Sequence, residues 1–461
     1  MNFLNIILYL LILFEKKEKK MKVAKFGGSS LADAVQLKKV KEIIMEDPDR
    51  SYVVVSAPGK GISNNHKVTD LLAMCHELSD HDLNFNEVYK IIENVFINIV
   101  DDLVLDIDIK KILADVKDEI TRGASYDFVI SRGEFISAQV LANYIGYDFV
   151  DASDLIVFNE GTLDLDKSCE NIRNILTVHD RAVVPGFYGL DEFGKVHTFS
   201  RGGSDVTGSV IASALDAEMY ENFTDVSGFL VADPKIVRDS CPIGTITYKE
   251  LRELSYMGAK VLHEEAIFPL RDKNIPINIK NTNAPHEEGT LILSKCVYKN
   301  KNIVTGISGK KDFTVINLEK VNMNTEKDFF RKLTTVFESN DLSIEHMPSS
   351  IDSVSVIVSD SQIAPKLNKV MEELKIYLNV DSISWERDIS LIAVVGRGMI
   401  NEKGVSSRTF TALARAGVNI KMISQGSSEI NIIIGVETKD FERAIEAIYR
   451  EFYKEEKDEE N

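Results

Sequence analysis

The sequence predicts an α/β protein in two parts: a domain built on a mainly parallel sheet, followed by a βαββαβ unit used twice. Three observations carry that expectation. From Met21 to about residue 295, short apolar segments alternate with helix-like ones, the order that gives a parallel sheet covered by helices. Several apolar segments run into Gly-, Ser- or Pro-rich turns. Beyond them, Leu342–Val358 aligns without a gap on Val418–Ile434, 76 residues further on, and a repeated strand–helix pattern of this size reads as a duplicated supersecondary unit.

Val23-Ala24 predicts a short strand that leads through Gly27-Gly28 and Ser29-Ser30 into a helix. Leu37, Val40, Ile43 and Ile44 fall on one face of that helix. The apolar run Tyr52–Val55 predicts a buried strand ending in Ser56-Ala57-Pro58-Gly59. A helical region is expected from Asn86 to Thr121, and a buried strand at Ala182–Val184 ending in Pro185-Gly186. Helices are expected at Asp205–Leu215 and Met257–Phe268, with a strand at Ile275–Ile279. Each copy of the repeat begins as a strand, breaks at small polar residues and resumes as an alternating strand. Helices precede the copies at Phe329–Ser339 and Ser407–Ala416, and follow them at Ala364–Leu374 and Phe441–Phe452. The charged tail from Lys454 to Asn461 is expected to fray.

The 461 residues allow about three domains at ~150 residues each. With 44% hydrophobic and 27% charged residues the chain has a large core to bury, which excludes a disordered or collagen-like chain. A net charge of −18 repels a phosphate backbone, so no nucleic-acid partner is expected, although a local basic pocket for one small anion remains compatible. The four cysteines are dispersed without a CxxC pair, which argues against a zinc site or disulfide framework and fits a reducing, cytoplasmic setting. The histidines show no metal-ligand spacing, and no metal held by protein ligands alone is expected. At the amino terminus, Phe3–Phe14 is mostly apolar and Glu15–Lys20 is all charged. The run is about half of the ~20 residues a span needs and lacks the flanks of a secretory signal. Residues 1–20 are expected to be a non-native or disordered extension, with Met21 as the true start. A weak membrane-surface anchor is the alternative, and no membrane partner is expected.

Five segments could carry chemistry. Lys25-Phe26-Gly27-Gly28-Ser29-Ser30 would bring backbone N–H groups and a lysine to a phosphate, or is a plain strand-to-helix turn. Ser200-Arg201-Gly202-Gly203-Ser204-Asp205 offers an arginine that could grip a carboxylate; Asp205 also suits an N-cap or first-turn position. Ser131-Arg132-Gly133-Glu134 presents a carboxylate to an ammonium group or to a helix dipole. Phe223-Thr224-Asp225-Val226-Ser227-Gly228 with Ala232-Asp233-Pro234-Lys235 could cover a nucleotide, or is an ordinary turn. Gly258-Ala259-Lys260-Val261-Leu262-His263 puts a second lysine near a helix start. The P-loop and protein-kinase signatures are absent.

These five segments, in this order, resemble the aspartate kinases of the amino-acid kinase family, and Ile423–Val436 resembles their ACT regulatory domain. The resemblance runs from about Met21 to Tyr453. It implies an amino-acid kinase fold over residues 21–297 and two ferredoxin-like ACT domains. The first would cover residues 312–386, and the second residues 298–311 with 387–456. It implies ATP-dependent phosphorylation of the L-aspartate side chain, with Mg2+, as the first step of lysine, threonine and methionine biosynthesis. Lys25 and Asp205 would be catalytic. Ser56, Thr69, Glu134, Phe187, Arg201 and Ser204 would hold aspartate. Lys25, Gly27, Gly28, Thr224, Asp225, Leu230, Lys235 and Lys260 would hold ATP. Leu230 stands where the family often has tyrosine, and Lys235 where it often has arginine. Met323, Ser343, Glu345, Ser349 and Ser350 would contact an amino-acid effector, with lysine implied alone or with threonine. A homodimer or homotetramer would assemble through the ACT domains.

Overall fold

The computed structural model describes residues 21–61, 65–200, 202–259, 262, 264–295, 302–400 and 402–453. Arg201, Lys260, Val261 and His263, the amino-terminal extension and the charged carboxyl tail lie outside the described residues. The chain divides into two compact units. The first takes the described residues of Met1–Phe229, Gly244–Tyr248 and Val261–Cys296; the second takes those of Leu230–Ile243, Lys249–Lys260 and Val297–Asn461.

In the first unit the elements follow one another as β1 (Lys22–Phe26), α1 (Ala34–Glu46), β2 (Arg50–Val55), α2 (Val68–Asp80), α3 (Asn86–Leu103), α4 (Ile109–Thr121), α5 (Tyr126–Ile145) and β3 (Asp148–Phe149). Then come the ribbon β4 (Phe158–Asn159) and β5 (Thr162–Leu163), α6 (Leu165–Leu176), β6 (Ala182–Pro185), and the ribbon β7 (Tyr188–Leu190) and β8 (Val196–Thr198). α7 (Gly203–Ala214), β9 (Met219–Thr224) and β10 (Thr245–Thr247) follow; after α8 (Tyr248–Tyr256), which belongs to the second unit from Lys249 on, come α9 (Phe268–Arg271), β11 (Ile277–Asn281) and β12 (Thr290–Leu293). The eight-stranded sheet runs β10-β12-β11-β9-β1-β2-β6-β3. Only the β11–β12 pairing is antiparallel. Central strands buried on both faces read as continuous apolar runs, and β2 and β6 are buried throughout. The core on one face joins α1–α5 to β1 and β2.

Two local expectations fail for identifiable reasons. The region Asn86–Thr121 is two helices, because Val104 turns left-handed at φ +53° and ends the first. Met257–Phe268 is not one helix. α8 stops at Tyr256, Gly258 sits at φ +109°, and among the described residues beyond it only Glu264–Ala266 and Phe268–Arg271 are helical.

The second unit continues with β13 (Gly306–Glu319), α10 (Phe329–Ser339), β14 (Ser353–Ser359), α11 (Asp360–Ile363), α12 (Leu367–Leu378), β15 (Ser382–Val395), α13 (Val405–Arg415), β16 (Ile420–Ser424), β17 (Asn431–Glu437) and α14 (Phe441–Tyr453). Its antiparallel sheet runs β14-β13-β15-β17-β16. The expected opening strand at Leu342 is reduced to two bridges, His346 to Ile357 and Ser349 to Val354. Both long strands break register at their middles. Asp312 there adopts φ +69° and Asp388 φ +60°, and these positions are equivalent in the 76-residue repeat.

Candidate active site

The parallel strands end level. Phe26 registers with Val55 and Phe223, Val55 with Pro185, and Thr224 with Asn281, so the turns after β1, β2, β6, β9 and β11 share one edge, where α/β sheets place ligands. The turn after β1 differs from expectation. Gly28–Leu31 forms a 3₁₀ turn, and α1 starts only at Ala34, where Asp33 accepts a hydrogen bond from the Gln36 N–H at 3.0 Å. Asp33 is a strong N-cap and fixes the later start.

The two glycines do different things. A methyl group at Gly28 would lie 2.7 Å from the Ala57 carbonyl oxygen and 3.1 Å from the Gly59 nitrogen, and the Gly59 N–H donates to the Gly28 oxygen at 2.8 Å. Two turns therefore touch at Gly28. A methyl at Gly27 would meet only ordinary contacts, 3.5 Å from the Phe223 oxygen and 3.6 Å from Lys25 Nζ. Gly28→Ala is expected to cost about 1–3 kcal/mol of stability through overpacking and to lower activity. Gly27→Ala is expected to fold as stably as the parent and to lower turnover by narrowing the space for a bound phosphate. Thermal unfolding and kcat of the two variants check the distinction.

Lys25 and Asp205 form the central pair. Lys25 Nζ lies 2.6 Å from Asp205 Oδ1, with both side chains largely buried. Asn222 Nδ2 donates to the same oxygen at 2.9 Å, and Asn222 is the register neighbour of Lys25 across β1 and β9. Asp205 lies in the first turn of α7, whose N-cap is Gly202 at φ +60°, a conformation that favours glycine. The aspartate is thus not the cap, and its carboxylate is free to hold the lysine.

Glu134 is in mid-helix rather than at a turn. The segment Ser131-Arg132-Gly133-Glu134 lies inside α5, which removes the helix-dipole reading. Gly133 makes the placement work: a methyl there would lie 2.6 Å from Ala57 Cβ, so the bare glycine lets the turn after β2 settle on the helix. The Ala57 N–H then donates to the Glu134 carboxylate. Glu134 is only 5% exposed, and its Oε2 has no hydrogen-bond partner. Burial pushes its acidity up to about 8, against the opposing pull of the Ala57 N–H, Arg132 and Lys25. A buried carboxylate oxygen without a donor is costly, and a cationic ligand would relieve that cost.

Phe187 follows β6 at φ +83°, held by its N–H on Thr207 Oγ1 at 3.1 Å and its oxygen on the Phe199 N–H at 3.0 Å. Backbone strain of this kind in a non-glycine residue gathers at ligand sites. A methyl at Gly186 would lie 2.6 Å from Ser204 Cβ, so the buried Ser204 sits directly against that turn. The Ser56 N–H donates to the Phe26 oxygen at 3.2 Å. Thr69 lies in the first turn of α2, half-buried. Thr224 Oγ1 donates to the exposed Asp225 at 3.1 Å. Leu230 and Lys235 belong to the second unit, where Leu230 bridges to Pro242 and the Lys235 N–H donates to Asp233 at 2.9 Å. Among the described residues, no three His, Cys, Asp or Glu side chains gather to hold a metal.

A profile of the amino acid kinase family matches residues 20–281, and one of an ACT domain matches residues 392–452. Aspartokinase 3 of Bacillus subtilis is 38% identical over 452 residues, 94% of this chain and 99% of that protein. The chain belongs to the amino acid kinase family, as an aspartate kinase. A crystal structure of the Clostridium acetobutylicum aspartate kinase is 50% identical, with a TM-score of 0.86 over 94% of this chain and 100% of the other. Escherichia coli aspartokinase III, crystallised with aspartate and ADP, shares the fold at 23% identity and a TM-score of 0.71, over 94% of this chain and 99% of that one.

In this aspartate kinase the expected effector residues lie in the second unit. The Met323 side chain is enclosed in the core beneath α10 and α12, so only its main chain is offered to a ligand. The Ser343 N–H donates to Gln362 at 2.9 Å, and the Ser350 N–H to the Ser353 oxygen at 2.7 Å. Ser349 bridges to Val354, and Glu345 accepts from the Tyr256 hydroxyl at 2.5 Å. Sequence reasoning missed Asn222 and Arg132. The polar pair Glu221-Asn222 between Tyr220 and Phe223 was the available signal for Asn222. For Arg132 it was the helical spacing of Phe128 and Phe135 around an arginine. No helix among the described residues is long and apolar enough to cross a membrane.

Proposed function

We propose that this enzyme transfers the γ-phosphoryl group of ATP to the side-chain carboxylate of L-aspartate at the carboxyl edge of the first unit's sheet. The observation that carries this reading is the buried, unpartnered Glu134 Oε2 within electrostatic reach of the Lys25–Asp205 pair. Glu134 receives the substrate ammonium. Arg201 grips the α-carboxylate, and Ser56, Thr69, Phe187 and Ser204 complete the pocket. The attacking carboxylate has an ordinary acidity near 4 and is already ionised, so the reaction needs no general base. Its difficulty is repulsion between two anions, and catalysis is positioning and charge neutralisation. Lys25, held by Asp205, and the amide of Gly28 neutralise the phosphates, while Gly27, whose N–H is spent on the Phe223 oxygen at 2.9 Å, leaves room for them. Thr224 and Asp225 contact the nucleotide, and the family resemblance adds Leu230, Lys235 and Lys260 as ATP contacts. Mg2+ accompanying the triphosphate would supply further charge neutralisation.

With 4-phospho-L-aspartate as its product, the enzyme is proposed to act in the cytoplasm as the first step of lysine, threonine and methionine biosynthesis. The left-handed breaks at Asp312 and Asp388 support a division of the second unit into two ACT domains, residues 312–386 and residues 298–311 with 387–456, that share the strands β13 and β15. Lysine, alone or with threonine, binds around Met323, Ser343, Glu345, Ser349 and Ser350, in a homodimer or homotetramer joined through these domains. ADP release with aspartate, ATP and Mg2+, repeated with glutamate in place of aspartate and with added lysine, threonine or methionine, tests the reading. Turnover with aspartate alone and inhibition by lysine are expected. Equal turnover of glutamate would overturn the substrate pocket, and indifference to all three amino acids would overturn the effector site.

A further inference from the structure

Arg132 is a buried cation within electrostatic reach of Glu134, two residues further along α5. It is 6% exposed, and its guanidinium packs over Phe128 at 4.3 Å, Phe135 at 4.5 Å and Tyr188 at 5.1 Å. Its Nε donates to the Phe128 oxygen at 3.2 Å, and Nε and Nη2 donate to Ser131 Oγ at 3.2 and 2.9 Å. Among the described residues it has no carboxylate at ion-pair distance. Ring faces and one hydroxyl offset only part of the cost of burying a charge.

That arginine lines a groove of about 390 Å3 between α4 and α5, within the ~300–1,000 Å3 range of small-molecule pockets. Phe128 and Phe135 supply apolar wall. Asp115 and Asp118, at helical spacing, line it from α4, and Arg122 from the cap just beyond that helix. Arg122 is already paired with Glu119 at 2.8 Å, which leaves the two exposed aspartates as a negative rim. A bare or multiply charged anion would be drawn to Arg132 and repelled by this rim. A ligand that carries its own ammonium meets both.

We propose that this groove binds a free α-amino acid with an apolar side chain, its carboxylate on Arg132, its ammonium on Asp115 and Asp118, and its side chain against Phe128 and Phe135. Glu134 does not line the groove, which lies outside the ACT domain, and the test of this site does not depend on the function proposed above. Calorimetric titration of the full-length protein with L-leucine and with L-methionine reads it directly. At least one of the two is expected to bind. Affinity is expected to fall at least ~10-fold for the amide, which lacks the carboxylate, and for the N-acetyl derivative, which lacks the ammonium. The same loss is expected in the exposed-rim double variant Asp115→Asn/Asp118→Asn, whose KM for ATP should be unchanged. Arg132→Lys, which keeps the charge but loses the planar fork, should weaken binding as well. No binding of either amino acid, or binding equally tight in the double variant or by the amide, overturns the proposal.

Discussion

Replacing Lys25 by alanine is expected to lower kcat by at least ~10²-fold, the effect of removing one preorganised donor from a developing charge. The side chain is prepared for that role in three ways. Its strand is central in the sheet, its ammonium lies 2.6 Å from Asp205 Oδ1, and Asn222 holds the same oxygen at 2.9 Å. The aspartate therefore acts as a positioning group that keeps the ammonium at the edge where β1 opens into its glycine turn. Asn222→Leu should reproduce part of the loss by letting Asp205 turn, with the KM for aspartate little changed. Single-turnover measurements separate these effects from product release. Turnover of Lys25→Ala close to that of the parent would remove Lys25 from the mechanism.

Replacing Glu134 by glutamine is expected to raise the KM for aspartate by roughly 10- to 100-fold, since hydrogen bonds to charged groups contribute about 1.5–3 kcal/mol. The pH dependence should change as well. Burial holds the free carboxyl near 8, and only its ionised form can receive an ammonium. In the parent enzyme kcat/KM for aspartate should therefore rise with pH toward about 8 and then level off, because this ratio reports groups of the free enzyme. The glutamine variant should lose that rise. The same shift bears on stability. The folded state holds a proton that the unfolded chain releases near its ordinary carboxyl value, so this group's contribution is fully present below that value. It is lost as pH rises through about 8.

Much of the fold was legible because its central strands are unbroken apolar runs closed by turn residues. Tyr52–Val55 before Ser56-Ala57-Pro58-Gly59 is the clearest, and the structure adds only Arg50 and Ser51 to it. The helices flanking the repeat were legible from their periodicity, and Phe329–Ser339 has the expected ends. Glycine was the main source of error. Gly133 reads as a turn residue, yet it lies inside a twenty-residue helix where its missing side chain admits Ala57. Gly258 reads as the opening of a helix, yet its positive φ follows the end of one. In both cases a tertiary neighbour or a backbone angle, neither visible along the chain, decided the outcome. The Lys25–Asp205 pair was legible by resemblance, but the asparagine that orients it was not, because that contact exists only across two strands far apart in sequence.

The central claim is that Glu134 waits, protonated and partly unsatisfied, for the ammonium of aspartate. Calorimetric titration of aspartate at pH 7, with a non-hydrolysable ATP analogue present and in buffers of different ionisation enthalpy, counts the protons exchanged on binding. Release of about one proton per aspartate by the parent enzyme, absent in Glu134→Gln, is the predicted result. The same proton count in both proteins would contradict it.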